Sequence, residues 1–138
     1  HANSFTGGDG GLFVYGRTFD DGTLAATMLV QDSKFDSSGV GLQFVQLGDN
    51  YQPTAQVDVN GNAFTGHTDY GFFAYAGDAD QTINIQGNSF TNPGGSYGIG
   101  AIARNTSIQT IDVHTNTQTG GIYYYFDADG TSNQSITY

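Results

Sequence analysis

A repeated pattern runs along the whole chain and restricts its fold more than any other feature. The pattern is a marker residue, Asn or Ser, followed two positions later by Phe, and it is clearest in Asn62-Ala63-Phe64 and Asn88-Ser89-Phe90. Weaker copies begin at Asn3, Ser33 and Asn116. A repeat of about 27 residues cannot bury an apolar face alone, so successive copies must stack on one another.

Four of the five markers lie between two segments that alternate like β-strands, and Asn3 has only the downstream one. Upstream, apolar residues stand three and five positions before the marker, as Ile85 and Ile83 do before Asn88. Downstream, Gly is followed by a large apolar residue in five pairs: Gly11-Leu12, Gly41-Leu42, Gly71-Phe72, Gly98-Ile99 and Gly121-Ile122. A period of two buries one face of a strand. Each repeat therefore predicts an upstream strand, a corner at the marker and a downstream strand.

Stacking these repeats predicts an all-β parallel solenoid in which like residues form columns. The downstream strands supply two inward columns: Leu12, Leu42, Phe72, Ile99 and Ile122, and then Val14, Phe44, Ala74, Ala101 and Tyr124. The corners supply a third, Phe5, Phe35, Phe64 and Phe90, with Gln118 as its odd member. The Asn markers are expected to hydrogen-bond along the stack. An antiparallel sandwich stays open as the alternative, since Asp129-Gly130 is a hairpin signal, but it gives no reason for one repeated motif order.

The segment Ile83-x-Ile85-x-x-Asn88-x-Phe90 and its four relatives resemble the right-handed parallel β-helix, or pectin-lyase-like, superfamily. The resemblance covers essentially the whole chain and implies a right-handed β-helix of about five coils of 27–29 residues. That superfamily contains polysaccharide lyases, phage tailspikes and surface adhesins, so the resemblance is specific for fold and poor for function. Its lyases use an Arg or Lys base beside acidic calcium ligands, and we expect no basic residue beside an Asp cluster on an outward strand face. We therefore expect a non-enzymatic, fibre or adhesin type.

Composition narrows the function classes further. The 138 residues include 13 acidic and 3 basic side chains, which gives a formal net charge of −10. Nucleic-acid binding needs clustered Lys and Arg, so nucleic acid is not an expected partner. No apolar run approaches the roughly 18 residues of a membrane span, and no Cys is present for disulfides or thiolate metal sites. The acidic, Lys-poor composition indicates a secreted, extracellular or cell-surface protein.

The two ends of the chain match each other in register. Complete coils are 25–53, 54–80, 81–107 and 108–135, so the single domain 1–138 is expected to start and end in mid-coil. Residues 136–138 read as the start of an upstream strand, and residues 1–24 as a coil without one, so together they make one coil as long as the others. The expected interface between adjacent units consists of His1, Ala2, Asn3, Phe5, Ile136, Thr137 and Tyr138. An arbitrary fragment of a longer β-helix remains the alternative.

A head-to-tail contact that does not close produces a filament. The sequence therefore predicts a structural subunit, or one tandem repeat, of an extracellular β-solenoid filament whose partners are copies of itself. The alternative is a carbohydrate-binding adhesin or phage-fibre fragment. An enzyme is the least expected class, because glycoside hydrolysis needs a defined carboxylate pair. Asp58 and Asp112 share a column two coils apart, about 9.6 Å by strand spacing, and solvated strand carboxylates are commoner than catalytic ones.

Two further groups of residues are candidate binding sites. The polar returns after the downstream strands stack into a stripe that could hold calcium, formed by Asp20, Asp49, Asp78, Asp80, Asp127 and Asp129. Asp is also an ordinary turn residue, so no cofactor is required. The second group is outward and aromatic, with one column containing Phe13, Phe73 and Tyr123 and another containing Tyr15, Tyr75 and Tyr125. Such a face indicates lateral packing between filaments or a glycan platform.

Overall fold

A computed structural model describes residues 3–7, 10–18, 25–36, 39–49, 52–91 and 96–138, and they form only strands and their connections. The corner strands are β1 (Ser4–Thr6), β4 (Lys34–Asp36), β7 (Ala63–Thr65), β10 (Ser89–Thr91) and β13 (Thr117–Thr119). The downstream strands are β2 (Gly10–Arg17), β5 (Val40–Leu47), β8 (Tyr70–Gly77), β11 (Tyr97–Arg104) and β14 (Ile122–Ala128). The upstream strands are β3 (Ala25–Gln31), β6 (Thr54–Asn60), β9 (Asp80–Gln86), β12 (Ile108–His114) and β15 (Asn133–Thr137).

The strands of each class form one five-stranded parallel sheet, and the three sheets surround a common core. The corner sheet runs β1-β4-β7-β10-β13, the downstream sheet β2-β5-β8-β11-β14 and the upstream sheet β3-β6-β9-β12-β15. Five strands in each sheet correspond to about four full turns. The all-β parallel solenoid is confirmed, and the antiparallel sandwich is wrong. The corner is itself a short strand, so each coil has three strands rather than two.

The corner phenylalanines form the predicted column inside the solenoid. Phe5, Phe35, Phe64 and Phe90 stack with successive ring centroids 4.9 Å apart and with interplanar angles of 4–8°. Parallel strands repeat at about the same spacing, so in-register pairing brings like rings into contact. Phe35, Phe64 and Phe90 are fully buried or nearly so.

The Gly residues of four Gly-apolar pairs, Gly11, Gly41, Gly71 and Gly98, make room for the corner column. A Cβ on Gly71 would lie 2.5 Å from Cδ1 of Phe90 and 2.8 Å from the carbonyl oxygen of Gly98. A Cβ on Gly41 would meet Phe64 in the same way, at 2.8 Å. At Gly11, Gly41 and Gly71 the Phe ring of the next coil packs on the glycine backbone, and at Gly98 the Gln118 side chain takes the place of that ring.

The Asn markers form the predicted ladder. The backbone N–H of Asn62 donates to Oδ1 of Asn88 at 2.8 Å, and the backbone N–H of Asn88 donates to Oδ1 of Asn116 at 2.8 Å. Each side-chain amide also donates one coil down: Nδ2 of Asn88 to the carbonyl of Val59 at 2.7 Å, and Nδ2 of Asn116 to the carbonyl of Ile85 at 2.8 Å. One carboxamide thus satisfies both a donor and an acceptor of the coil below it.

A second amide ladder, which the sequence analysis did not predict, lies inside the upstream sheet. Gln81, Gln109 and Gln134 stack in one inward column, above Ala26 and Ala55. Nε2 of Gln109 donates to Oε1 of Gln81 at 2.8 Å, and Nε2 of Gln134 donates to Oε1 of Gln109 at 2.6 Å. Period-two alternation predicts that these positions face inward. The ladder was nevertheless not predicted, because buried residues are usually apolar and Gln is usually exposed.

The predicted columns are wrong in the last coil, where the register differs by two residues. Tyr97 pairs with Ile122, Ile99 with Tyr124, and Ala101 with Phe126. Tyr124 and Phe126 are therefore the inward members, in place of Ile122 and Tyr124. The connection before β14 contains Gly120 and Gly121, both at positive φ (72° and 70°). Gly121 serves this turn, so the pair Gly121-Ile122 is not the close-packing motif of the other coils.

Candidate functional site

The N-terminal end face is the surface formed by the edge strands β1, β2 and β3. The apolar core opens here into a hollow of about 280 Å³, lined by Asn3, Phe5, Leu12, Leu29, Val30, Gln31 and Ser33. Phe5 and Leu12 are only partly buried, although their equivalents Phe35 and Leu42 in the next coil are fully buried. This face therefore exposes a cross-section of the core together with strand edges that can accept another rung.

The C-terminal end face is the surface formed by β13, β14 and β15. Tyr124, Phe126 and Ile136 are partly buried and continue the inward columns. Tyr138 is 66 % exposed, and its ring centroid lies 5.1 Å from that of Tyr124. Burial, with the neighbouring Tyr123 and Tyr138, raises the pKa of Tyr124 above its ordinary value. The β14 edge of this face is apolar and aromatic.

The predicted interface residues that the structure describes lie at these two opposite ends. Asn3 and Phe5 belong to the N-terminal face, Ile136 and Thr137 lie in β15, and Tyr138 follows them. His1 and Ala2 lie outside the described residues. Ile136 pairs with Ile111 and Thr137 with Asp112. If this strand pairing continued past Thr137, Tyr138 would pair with Val113. Three further residues after Tyr138 would then pair with His114, Thr115 and Asn116.

Tyr123 makes the C-terminal end different from an internal coil. It lies between Ile122 and Tyr124, opposite Gly98, and so occupies the position that Gly holds in the other coils. Its ring packs against Phe90 and Tyr124, with centroids 6.4 Å and 4.1 Å away. The prediction that Tyr123 shares the outward column of Phe13 is therefore wrong, because of the two-residue change of register.

Seven aromatic rings of the described residues lie on the outward face of the downstream sheet. We call this face the aromatic wall; its rings are Phe13, Tyr15, Tyr70, Phe73, Tyr75, Tyr97 and Tyr125. Tyr125 shares a column with Phe13 and Phe73, and the column of Tyr15 and Tyr75 ends at Asp127, which corrects the predicted columns. Phe13 and Tyr15 are 59 % and 50 % exposed. Tyr70, which was not predicted, stacks on Tyr97 at 5.3 Å.

The carboxylates of the predicted calcium stripe are engaged by donors from neighbouring coils. Asp49 accepts two hydrogen bonds from Nη2 of Arg17, at 3.0 and 3.2 Å. Asp78 accepts from Asn105 and Thr106 at 2.7 and 3.1 Å, and Asp80 accepts from Gln52 at 2.8 Å and from the Ile108 backbone at 3.0 Å. Asp20 lies outside the described residues. Within the described ranges no group of three or more His, Cys, Asp or Glu side chains could hold a metal ion.

Arg104 contradicts the expectation that basic residues stand apart from Asp clusters. It ends β11, and its guanidinium lies 2.6 Å from Asp127 and 3.2 Å from Asp129. The β11–β14 register brings the acidic end of β14 beside it, and these carboxylates raise the pKa of Arg104. The predicted column of Asp58 and Asp112 is present, with Asn84 between them. Asp112 lies 2.6 Å from Nε2 of His114.

His67 is a buried polar residue that the sequence did not mark. It precedes β8, is fully buried, and neither ring nitrogen has a hydrogen-bond partner among the described residues. Burial lowers its pKa to about 4, and the nearby backbone of Tyr97 opposes the shift. A lone His in a polar loop gives no pattern from which this environment could be predicted.

Comparisons with protein-family models, with curated proteins and with solved structures give no match to this chain. The parallel solenoid is therefore established by the strand register, and membership of the pectin-lyase-like superfamily stays a resemblance. Nowhere in the described ranges is there a helix with the length and hydropathy of a membrane span.

Proposed function

We propose that this chain is a structural segment of an extracellular β-solenoid filament, in which the N-terminal end face of one unit stacks on the C-terminal end face of the next. The asparagine ladder carries this proposal. Every internal marker Asn is bonded to the coil above and to the coil below, and the ladder reaches Asn116 in the last coil.

The ladder defines what a further coil must supply. Continuing the pattern, the backbone N–H of Asn116 needs a side-chain oxygen above it, and the carbonyl of Val113 needs a side-chain N–H. A carboxamide offers both from one side chain. If the β12–β15 register continued into a following unit, Asn3 of that unit would come to this position, where its Oδ1 would accept from the N–H of Asn116 and its Nδ2 would donate to the carbonyl of Val113.

The apolar columns support the same stacking. Met28 of the following unit would lie on Ile136, because both belong to one column of the upstream sheet. Leu12 and Val14 would lie on Tyr124 and Phe126 in the same way. Each end face would cover the core cross-section of the other and pair its open strand edges, the surfaces that a solitary solenoid leaves exposed.

Tyr123 weakens this joint relative to an internal coil. Where Gly71 stands, even a Cβ would lie 2.5 Å from the Phe ring of the following coil. At the joint that ring is Phe5 of the next unit, and it would approach Tyr123 instead of Gly. The Tyr123 side chain must therefore turn aside. We expect a reversible joint and an assembly that depends on protein concentration.

A structural role outside the cell also agrees with the surface chemistry. In the described returns, Arg17 and Arg104 form ion pairs with Asp49 and Asp127 of the next coils. Asp58 and Asp112 are separated by a whole coil. The acidic composition supports extracellular exposure. Protease treatment of intact producing cells tests the location: degradation of the chain supports it, and protection argues for an internal compartment.

Electron microscopy and sedimentation of the purified chain test the assembly. The wild-type chain should form threads above a critical concentration, and Asn3→Leu should raise that concentration because it removes the joint carboxamide. Asn84→Leu, on the outer face of β9, is the matched control and should leave it unchanged. Deleting residues 136–138 should prevent threads while the middle coils keep their β circular dichroism. Discrete monomers at every concentration would contradict the proposal.

A further inference from the structure

We propose that the aromatic wall is the surface on which two filaments pair side by side, so that its occupant is a second copy of this chain. The inference rests on the proposed filament and adds a second, lateral contact to the end-to-end joint. Three observations on the wall carry it: its lack of free charge, its area and a recess at its N-terminal end.

The wall is nearly free of charge on a strongly acidic molecule. The chain has a net charge of −10, so two copies repel each other wherever carboxylates face. On the wall, the columns of Tyr70 and Phe73 contain no ionisable group other than tyrosine, and Asp127 at one corner is paired with Arg104. The outer face of the upstream sheet, in contrast, presents Asp58 and Asp112. The wall is therefore the broad sheet face that a second acidic copy can approach with least repulsion.

The area of the wall is too small for a pair of single units. Five strands at about 4.8 Å, crossed by six residues at about 3.3 Å, give roughly 500 Å² per unit. A stable interface buries about 800 Å² on each partner. Two single units should therefore pair weakly. In two filaments, the walls of successive units form one longer contact surface. Once one pair of units is in contact, each further pair forms its contact within the same assembly, which strengthens the pairing. Lateral pairing should follow filament growth rather than precede it.

A recess in the wall can receive a ring from the facing copy. It has a volume of about 220 Å³ and is lined by Gly10, Gly11, Leu12, Phe13, Val40 and Gln43. The recess exists because Gly10 and Val40 stand in the column that holds Tyr70 and Tyr97 two and three coils further along. Exposed rings and an apolar recess thus occur on one surface, as a self-complementary contact requires.

The mass per length of filaments, measured by dark-field scanning transmission electron microscopy, tests the inference. Each unit adds 14.6 kDa over a rise of about 24 Å, so a single file has about 6 kDa/nm and a pair about 12 kDa/nm. We expect the wild type to have the mass per length of a pair. The double variant Tyr15→Ser, Tyr75→Ser should fall to the value of a single file and still form filaments. Ile108→Ser, which changes an exposed apolar residue on the upstream sheet, is the control and should keep the value of a pair.

The outcomes separate this inference from the proposed function. Wild-type filaments with the mass per length of a single file overturn lateral pairing and leave the filament intact; if they also bind a glycan array and lose that binding in the double variant, the wall belongs to carbohydrate. A mass per length that the double variant leaves unchanged removes the wall from the contact. The absence of any filament overturns both proposals.

Discussion

The side chain of Asn88 holds three coils together. It accepts from the backbone N–H of Asn62 and donates to the carbonyl of Val59 below and to Asn116 above, at 2.7–2.9 Å, and it is 1 % exposed. We expect Asn88→Ala to lower the free energy of unfolding by about 3 kcal/mol, because it leaves buried donors and acceptors unpaired. Urea denaturation measures this. The control Gln86→Ala, on an exposed side chain of the same coil, should change it by less than about 0.5 kcal/mol; equal losses for both variants would contradict the ladder's role.

His67 predicts a pH dependence of stability. Its folded pKa is lowered to about 4, below the unfolded value near 6.5, so the unfolded chain binds more protons between these values. The contribution of neutral His67 to the free energy of unfolding is therefore complete above pH 6.5 and is lost as the pH falls. Between pH 7 and pH 5 the loss should be about 2 kcal/mol. His67→Phe should remove this part of the dependence and His114→Gln should retain it. A wild-type stability that is flat over this range would contradict the lowered pKa, because it would show that His67 binds its proton equally well in the folded and the unfolded chain.

The position of Tyr123 at the joint predicts that a smaller residue there strengthens assembly. Replacing it with Gly restores the internal motif, so Tyr123→Gly should strengthen the end-to-end joint. If the overpacked contact costs about 1 kcal/mol, removing it should lower the critical concentration about fivefold. Tyr123→Ala keeps the Cβ that meets the incoming ring and should have a smaller effect. Weaker assembly of the Gly variant, measured by sedimentation, would place Tyr123 among the attractive contacts of the joint.

At the level of elements, the Gly near the start of the downstream strands β2, β5, β8 and β11 is required by the corner strand of the following coil. Gly71→Ala places a Cβ 2.5 Å from a Phe90 ring atom and 2.8 Å from a backbone oxygen, and the backbone cannot yield as a flexible side chain can. We expect a loss of about 2 kcal/mol or more. Gly10→Ala is the matched control, since its Cβ would lie 3.8 Å from the Val40 carbonyl oxygen, an ordinary contact. Thermal unfolding compares them, and similar melting temperatures would contradict the close packing.

The elements differ in how far the sequence predicts them. The Phe column and the Asn ladder follow from the repeat alone, since parallel strands in register place like residues one above another. The register of the last coil cannot be predicted from the repeat. Gly121-Ile122 has the sequence of the Gly-apolar motif, but Gly120 and Gly121 form a turn, and the strand pairing is needed to define the register. The three-residue corner strands are too short for a periodic signal. Arg104 reaches Asp127 and Asp129 through pairing between coils, which local sequence cannot show.

At the scale of the whole molecule, charge opposes assembly and burial favours it. Each unit has a net charge of −10 and would be repeated at a rise of about 24 Å along a filament, a distance comparable with the Debye length at low salt. We expect the critical concentration to fall when the ionic strength is raised from about 0.01 M to about 0.15 M, because screening shortens the repulsion from about 30 Å to about 8 Å. Light scattering across a salt series measures this. Dissociation on adding salt would indicate a joint held by ion pairs instead.

Helical reconstruction of the threads by electron cryomicroscopy tests the joint most directly. Stacking in register requires one unit for each five rungs, an axial rise of about 24 Å, with density for Asn3 continuous with Asn116 of the preceding unit. A different rise, an extra rung at the joint, or closed particles with each end covered by its own chain would contradict end-to-end stacking.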